Sequence, residues 1–175
     1  MSELREAGQP DSLIEPTIIE RAEQPYLGKT FMVALDSLYR MMDVLALMHR
    51  DMLASGVKPA GSPFLKYHGM ITGHRSVQVE AGIPVESFLR TLEGTHCREL
   101  PAGRYATLVH SAHPSGLMDA TGQLLEWAGQ QGMQWDAGLT ADGLRWGCRL
   151  EIYHAGVLTA DNGGWEIELA IRLAD

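Results

Sequence analysis

The sequence predicts an α+β domain made of two copies of a β-α-β-β unit. Three observations lead there: an order of signals that occurs twice, two amphipathic helices each stopped by glycine, and a closing segment of alternating apolar residues in each copy. Two such units, each unable to cover its own sheet, pair edge to edge into a single domain with an antiparallel sheet. The expectation is that both helices lie on one face of that sheet and that the other face is left partly open, as a groove.

In the first copy, QPYLGKTFMVAL (24–35) reads as a strand and DSLYRMMDVLALMHRDMLASG (36–56) as a helix. Leu38, Met42, Leu45, Met48, Met52 and Leu53 recur at helical spacing. Asp36 or Ser37 is placed to accept from the first-turn amides, and Gly56 supplies the left-handed stop. SPFLKYHG (62–69) and SVQVEAGIPV (76–85) are short, rich in aromatic and branched residues, and read as strands. In the second copy AGRYATLVHSA (102–112) repeats the opening strand, with Tyr105 standing where Tyr26 stood. PSGLMDATGQLLEWAGQQG (114–132) repeats the helix, started by Pro114 and Ser115 and stopped at Gly132, with Leu117, Thr121, Leu124 and Ala128 as its inner stripe. CRLEIYHAG (148–156) matches the first copy's FLKYHG, aligning Tyr153 with Tyr67 and His154 with His68. GWEIELAIRL (164–173) closes the copy with Trp165, Ile167, Leu169, Ile171 and Leu173 at every second position. The expected organisation is a flexible tail over 1–14 and one domain over 15–175: a first repeat to about 85, a linker over 86–100, and a second repeat from about 101.

Composition bounds the function. With 175 residues, 45% hydrophobic and 21% charged, the chain is long enough for a core without disulfides, and its two cysteines, Cys97 and Cys148, fit a reducing compartment. No apolar run reaches the roughly 20 residues of a membrane span, and no basic, then apolar, leader opens the sequence, so a cytoplasmic location is expected. The net charge of −8 and the scattered Lys and Arg argue against direct nucleic-acid binding; the acidic excess attracts cations at long range, or serves solubility alone. The glycine patterns of phosphate-binding loops and G-x-S-x-G are absent. His110 and His113 have no clear third and fourth ligand, so neither metal nor cofactor is expected.

The pieces W-x4-G, L-E-x-Y and E-A-G-I-P-V, set in the duplicated unit, resemble the GyrI-like small-molecule-binding domain, the effector-binding part of multidrug-sensing and AraC-type bacterial regulators. The resemblance spans about residues 15–173. It implies a groove between the two repeats that takes bulky aromatic, often cationic molecules, a glutamate backed by aromatic rings facing the positive charge. In a subset of stand-alone members it implies hydrolysis of reactive electrophiles by such a glutamate, and in some short members, contact with a topoisomerase. The residues before the repeat are too few for a helix-turn-helix, so binding without a DNA reader of its own is expected.

Glu151 is the candidate anchor. Alternation from 148 to 154 puts Arg149, Glu151 and Tyr153 on one strand face and Cys148, Leu150, Ile152 and His154 on the other, and the apolar set is expected to meet the helices. Leu65 occupies the position of Glu151 in the first copy, so the fold does not demand a carboxylate twice. The alternative for Glu151 is a solvated carboxylate paired with Arg149 or a neighbouring strand. Tyr67, Tyr105, Trp135, Trp146 and Tyr153 are candidate ring walls. Glu168 could line the groove too, although Glu80 matches it in the first copy, which suits an architectural role. Trp165 reads as core. If the protein is a hydrolase, Glu151 and Tyr153 are its catalytic pair.

Overall fold

A computed structural model describes residues 15–70, 75–90, 92–158 and 164–175. The tail expected over 1–14 lies outside the described residues. Ten strands are seen among them: β1 (Thr17–Arg21), β2 (Gln24–Ala34), β3 (Phe64–Met70), β4 (Ser76–Pro84), β5 (His96–Leu100), β6 (Gly103–His110), β7 (Ala137–Thr140), β8 (Gly143–Trp146), β9 (Arg149–Ala155) and β10 (Glu166–Arg172). They form one curled antiparallel sheet in the order β1-β6-β10-β9-β3-β4-β2-β5, with the β7–β8 hairpin attached to β3. The helices are α1 (Met41–Ala54) and α2 (Leu117–Gln130). The class is α+β, and no described helix is long and apolar enough to cross a membrane.

The strand order reads as two matching halves about the β9–β3 seam. β6, β10 and β9 belong to the second repeat; β3, β4 and β2 belong to the first. Each half is then closed by the leading strand of the other repeat, since β1 pairs with β6 and β5 pairs with β2. The registers match as well. Thr17 faces Thr107 and Arg21 faces Gly103, while His96 faces Gly28 and Leu100 faces Gln24, so one shift of 79 residues exchanges the two ladders and carries Tyr26 to Tyr105. At the seam Leu65 faces Glu151, flanked by Phe64 with Ile152 and Lys66 with Leu150. A shift of 86 carries Leu65 to Glu151, so the local twofold axis passes through that pair.

The stretch 86–100, read as a linker, therefore contains β5, the counterpart of β1. A five-residue edge strand with mostly partly or fully exposed side chains carries no core pattern by which the sequence could announce it.

Helix starts also differ from expectation. Both open with a turn of tighter helix, Leu35–Arg40 before α1 and Pro114–Gly116 before α2. Neither Asp36 nor Ser37 caps α1; the Ser37 hydroxyl donates to Asp36 instead. At the second start the His113 Nδ1 accepts from the Ser115 amide. The stops are as read, with Gly56 and Gly132 at φ +75° and +68°.

Both helices pack on the same sheet face. Leu45, Met48 and Met52 of α1 bury against Leu27, Val79, Ile83 and Ile167, and Ala120 and Leu124 of α2 bury against Ala106, Leu108, Leu169 and Ile171. Inside the curl, the opposite face is also apolar: Tyr26, Phe64, Tyr105, Cys148, Leu150, Ile152 and Ala170 make a second core. Phe64 lies there across bare backbone at Gly82, where an added methyl would run into the ring. Gly82→Ala should therefore destabilise the domain by about 1–3 kcal/mol in urea unfolding, the usual scale of overpacking; an unchanged midpoint would contradict that packing.

Candidate functional site

The helices pack on either side of the sheet's centre, α1 over β4 and α2 over β6, and leave the central pair β3 and β9 between them. That gap is a cavity of about 990 Å³. Leu38, Tyr39 and Met42 form one wall, Leu117, Thr121 and Leu125 the other, and Leu65, Tyr67, Glu151 and Tyr153 the floor; Trp146 and Trp165 also line it.

The groove is thus on the helix face, not the face opposite, which corrects the expectation from sequence. The alternation itself was sound: Arg149, Glu151 and Tyr153 do share a face. The error came from letting Leu150 and Ile152 decide which face meets the helices. They are apolar because they fill the second core inside the curl.

Glu151 sits on the local twofold, and the twofold-related Tyr67 and Tyr153 reach it from either side. Both hydroxyls donate to the same carboxylate oxygen, Oε2, at 2.9 Å from Tyr67 and 2.6 Å from Tyr153. Among the described residues Oε1 receives no hydrogen bond, yet it is not a buried unpartnered atom, so it keeps contact with the solvent of the groove. Burial pushes the Glu151 carboxyl up, and the hydrogen bonds from Tyr153 and Tyr67, with the charge of Arg149, only partly offset that. Burial and the neighbouring carboxylate also push Tyr67 and Tyr153 well above the ordinary tyrosine value, which keeps both hydroxyls as donors. The arrangement is a carboxylate lifted from water, steadied on one oxygen and open on the other. The solvated ion pair with Arg149 is not formed; the Arg149 guanidinium lies instead over the Trp146 ring, 5.1 Å from its centre, and the Tyr67 ring, 5.8 Å away.

The remaining expected residues divide. Trp146 lines the groove, and Trp135 stands outside the lining, edge-on to Trp146 at 6.2 Å. Tyr105 lies on the opposite face in the second core, its hydroxyl donating to the Pro101 carbonyl and the Arg21 guanidinium over its ring. Glu168 is also on that face, paired with Arg21 and with His154. Its counterpart Glu80 is fully buried and accepts from Tyr26 at 2.6 Å, His68 at 2.8 Å and His96 at 2.5 Å. Burial alone would raise the Glu80 carboxyl, but the hydrogen bonds from His68, Tyr26 and His96 outweigh it and bring it to about 2. These two carboxylates tie the curled sheet together away from the groove.

Trp165, read as core, is only partly buried, lines the groove and meets the His113 ring edge-on at 6.3 Å. Alternation from Ile167 does put it on the helix face; only the spacing of the helices decides that it faces a gap. Tyr39 and Met118 also line the cavity and carried no pattern to set them apart; Arg149, placed on the face of Glu151 by alternation, lines it too. His110 bonds the His113 carbonyl, and no group of three or more His, Cys, Asp or Glu side chains among the described residues is arranged to hold a metal ion.

No protein-family model and no curated protein matches the chain. Its structure is similar to the EcmrR C-terminal domain, with a TM-score of 0.69 at 19% identity over 91% of this chain and 97% of that one. Against the EcmrR–DNA complex the TM-score is 0.71 at the same identity, and this chain covers 57% of the longer EcmrR chain. SAV2435 bound to tetraphenylphosphonium is similar at a TM-score of 0.58 and 10% identity, over 92% and 94% of the two chains. A hydrolase from Listeria innocua is similar at 0.56 and 11%, over 91% and 92%. At these identities the likeness is one of fold, and it supports a GyrI-like architecture.

Proposed function

We propose that the groove binds bulky aromatic molecules carrying a delocalised positive charge, and that the protein is an effector- or drug-binding module. The observation that carries this reading is Glu151 itself: a desolvated carboxylate on the twofold axis, fixed by two tyrosines through one oxygen and open to an aromatic-lined cavity through the other. Such a carboxylate is stabilised by a cation that brings apolar surface with it, because the rings attract the charge and bury the hydrophobic body together. The cavity volume suits a drug-sized ligand. A similar fold holds tetraphenylphosphonium in SAV2435, which makes that cation the natural probe.

Calorimetric titration with tetraphenylphosphonium and with tetraphenylborate, of the same shape and opposite charge, tests the reading. The phosphonium should bind at least about tenfold more tightly. Thr121→Trp, which puts a ring into the cavity from α2, should abolish its binding. Equal affinity for the two ions, or binding unaffected by the blocked cavity, would overturn the proposal.

A second reading rests on the same carboxyl. A glutamate raised by burial beside two hydroxyl donors is suited to act as a general base toward water attacking a strained electrophile, with Tyr153 orienting it. Mass spectrometry of an electrophile after incubation separates the two: hydrolysed product formed by wild type and not by Glu151→Gln marks catalysis, and recovered ligand marks binding.

A further inference from the structure

The groove's charge is not only negative. Arg149 stands two residues before Glu151 on β9, shares its face and lines the same cavity. Among the described residues its guanidinium makes no hydrogen bond, and Glu151 attracts it through space without forming an ion pair within 4.0 Å. Its nitrogens are not among the buried unpartnered atoms, so they meet the solvent of the groove. The guanidinium carbon lies over the Trp146 and Tyr67 rings, and among the described residues none of its N–H donors is taken by a hydrogen bond.

A purely structural arginine would not be left this way. Partly desolvated donors are normally satisfied, and leaving them unmade is expensive; a carboxylate lies two residues along the same strand and is not used. The twofold-related position in the first repeat is Pro63, and the shelf under Arg149 comes partly from Trp146 on the β7–β8 hairpin, for which the first repeat has no counterpart between α1 and β3. Arg149 and Glu151 are both additions of the second repeat to one cavity.

We propose that Arg149, on its shelf of Trp146 and Tyr67, is an anion subsite, and that the groove's ligand is an amphoteric aromatic molecule with a carboxylate for Arg149 and a cationic centre for Glu151. This rests on the reading of the groove as a binding site for aromatic cations. The planar fork matches a carboxylate through two parallel hydrogen bonds, and the cation–π contacts with the two rings hold the guanidinium near its place before the ligand arrives. Residues i and i+2 of a strand stand on the order of 7 Å apart, so the site asks for two charges separated across an aromatic body.

Rhodamine 110 and rhodamine 123 test this, because they share a cationic xanthene and differ in a free carboxylate against its methyl ester. Fluorescence anisotropy titrations should show wild type binding rhodamine 110 at least about tenfold more tightly than rhodamine 123. Arg149→Met should bind the two alike, with rhodamine 123 within about threefold of wild type; Arg149→Lys, which keeps the charge and loses the fork, should fall between. A preference unchanged in Arg149→Met, or absent in wild type while rhodamine 123 still depends on Glu151, overturns the anion subsite and leaves the cation reading standing. Equal tightening of both dyes in Arg149→Met means that the guanidinium only fills the shelf, and overturns it too. Failure of wild type to bind either dye or tetraphenylphosphonium removes both readings.

Discussion

Replacing Glu80 with alanine is expected to destabilise the domain by about 3–5 kcal/mol at neutral pH, the scale for breaking a buried charged network by removing one member. Glu80 is the shared acceptor for Tyr26, His68 and His96, and its loss strands all three on the inside of the curl. The pH dependence fixes the sign. The folded carboxyl is held at about 2, below its ordinary 4.5, so its stabilisation is complete above the unfolded value and is lost as pH falls toward about 2. The gap between wild type and Glu80→Ala in urea unfolding should be widest near pH 7 and narrow between about pH 4.5 and 2. Glu80→Gln, which keeps an acceptor, should cost less than alanine. A gap below about 0.5 kcal/mol at neutral pH would mean that the network contributes nothing net.

Glu151→Gln should do the reverse to the unliganded protein. Here the folded carboxyl lies above its ordinary value, so the ionised form is a burden on the fold at neutral pH that lifts as pH falls and the group protonates. The amide still accepts from Tyr67 and Tyr153 while shedding the charge, so a gain of about 1 kcal/mol is expected. The same substitution should weaken tetraphenylphosphonium by about 1–3 kcal/mol, the range for hydrogen bonds and contacts to a charged group. Stability rising while cation affinity falls is the mark of a carboxylate kept for a ligand. Stability falling by a comparable amount would instead assign Glu151 to the fold, beside Glu80.

What the sequence disclosed follows from the twofold. Tyr26 and Tyr105, Tyr67 and Tyr153, and His68 and His154 repeat because the same ladders are built twice, and the repeat survives as residue pairs 79 or 86 apart. Glu151 stood out for the opposite reason, as the place where Leu65 had been replaced, and the structure places that pair on the axis at the floor of the cavity. The groove's face was not legible. In a flat two-layer domain the apolar side of a strand identifies the helix side, but a sheet that curls around its own second core is apolar on both sides, and Leu150 and Ile152 then mislead. Tyr105 and Glu168 were drawn to the wrong side by that inversion and by their chemistry alone. Trp165 was read as core because a gap between two helices is set by where each helix docks, over β4 and over β6, and no local pattern in its strand records it; Arg149 was placed on the face of Glu151 by alternation, but only as the partner of a solvated pair.

The location of the ligand is therefore the point on which the account turns, and a crystal structure with tetraphenylphosphonium decides it. The account predicts the cation between α1 and α2, its rings against Trp146, Trp165 and the helix walls, and its charged centre facing Glu151 Oε1 while Tyr67 and Tyr153 keep their hold on Oε2. A cation seated on the other sheet face, against Tyr105 and Glu168, or one held away from Glu151 altogether, would contradict it.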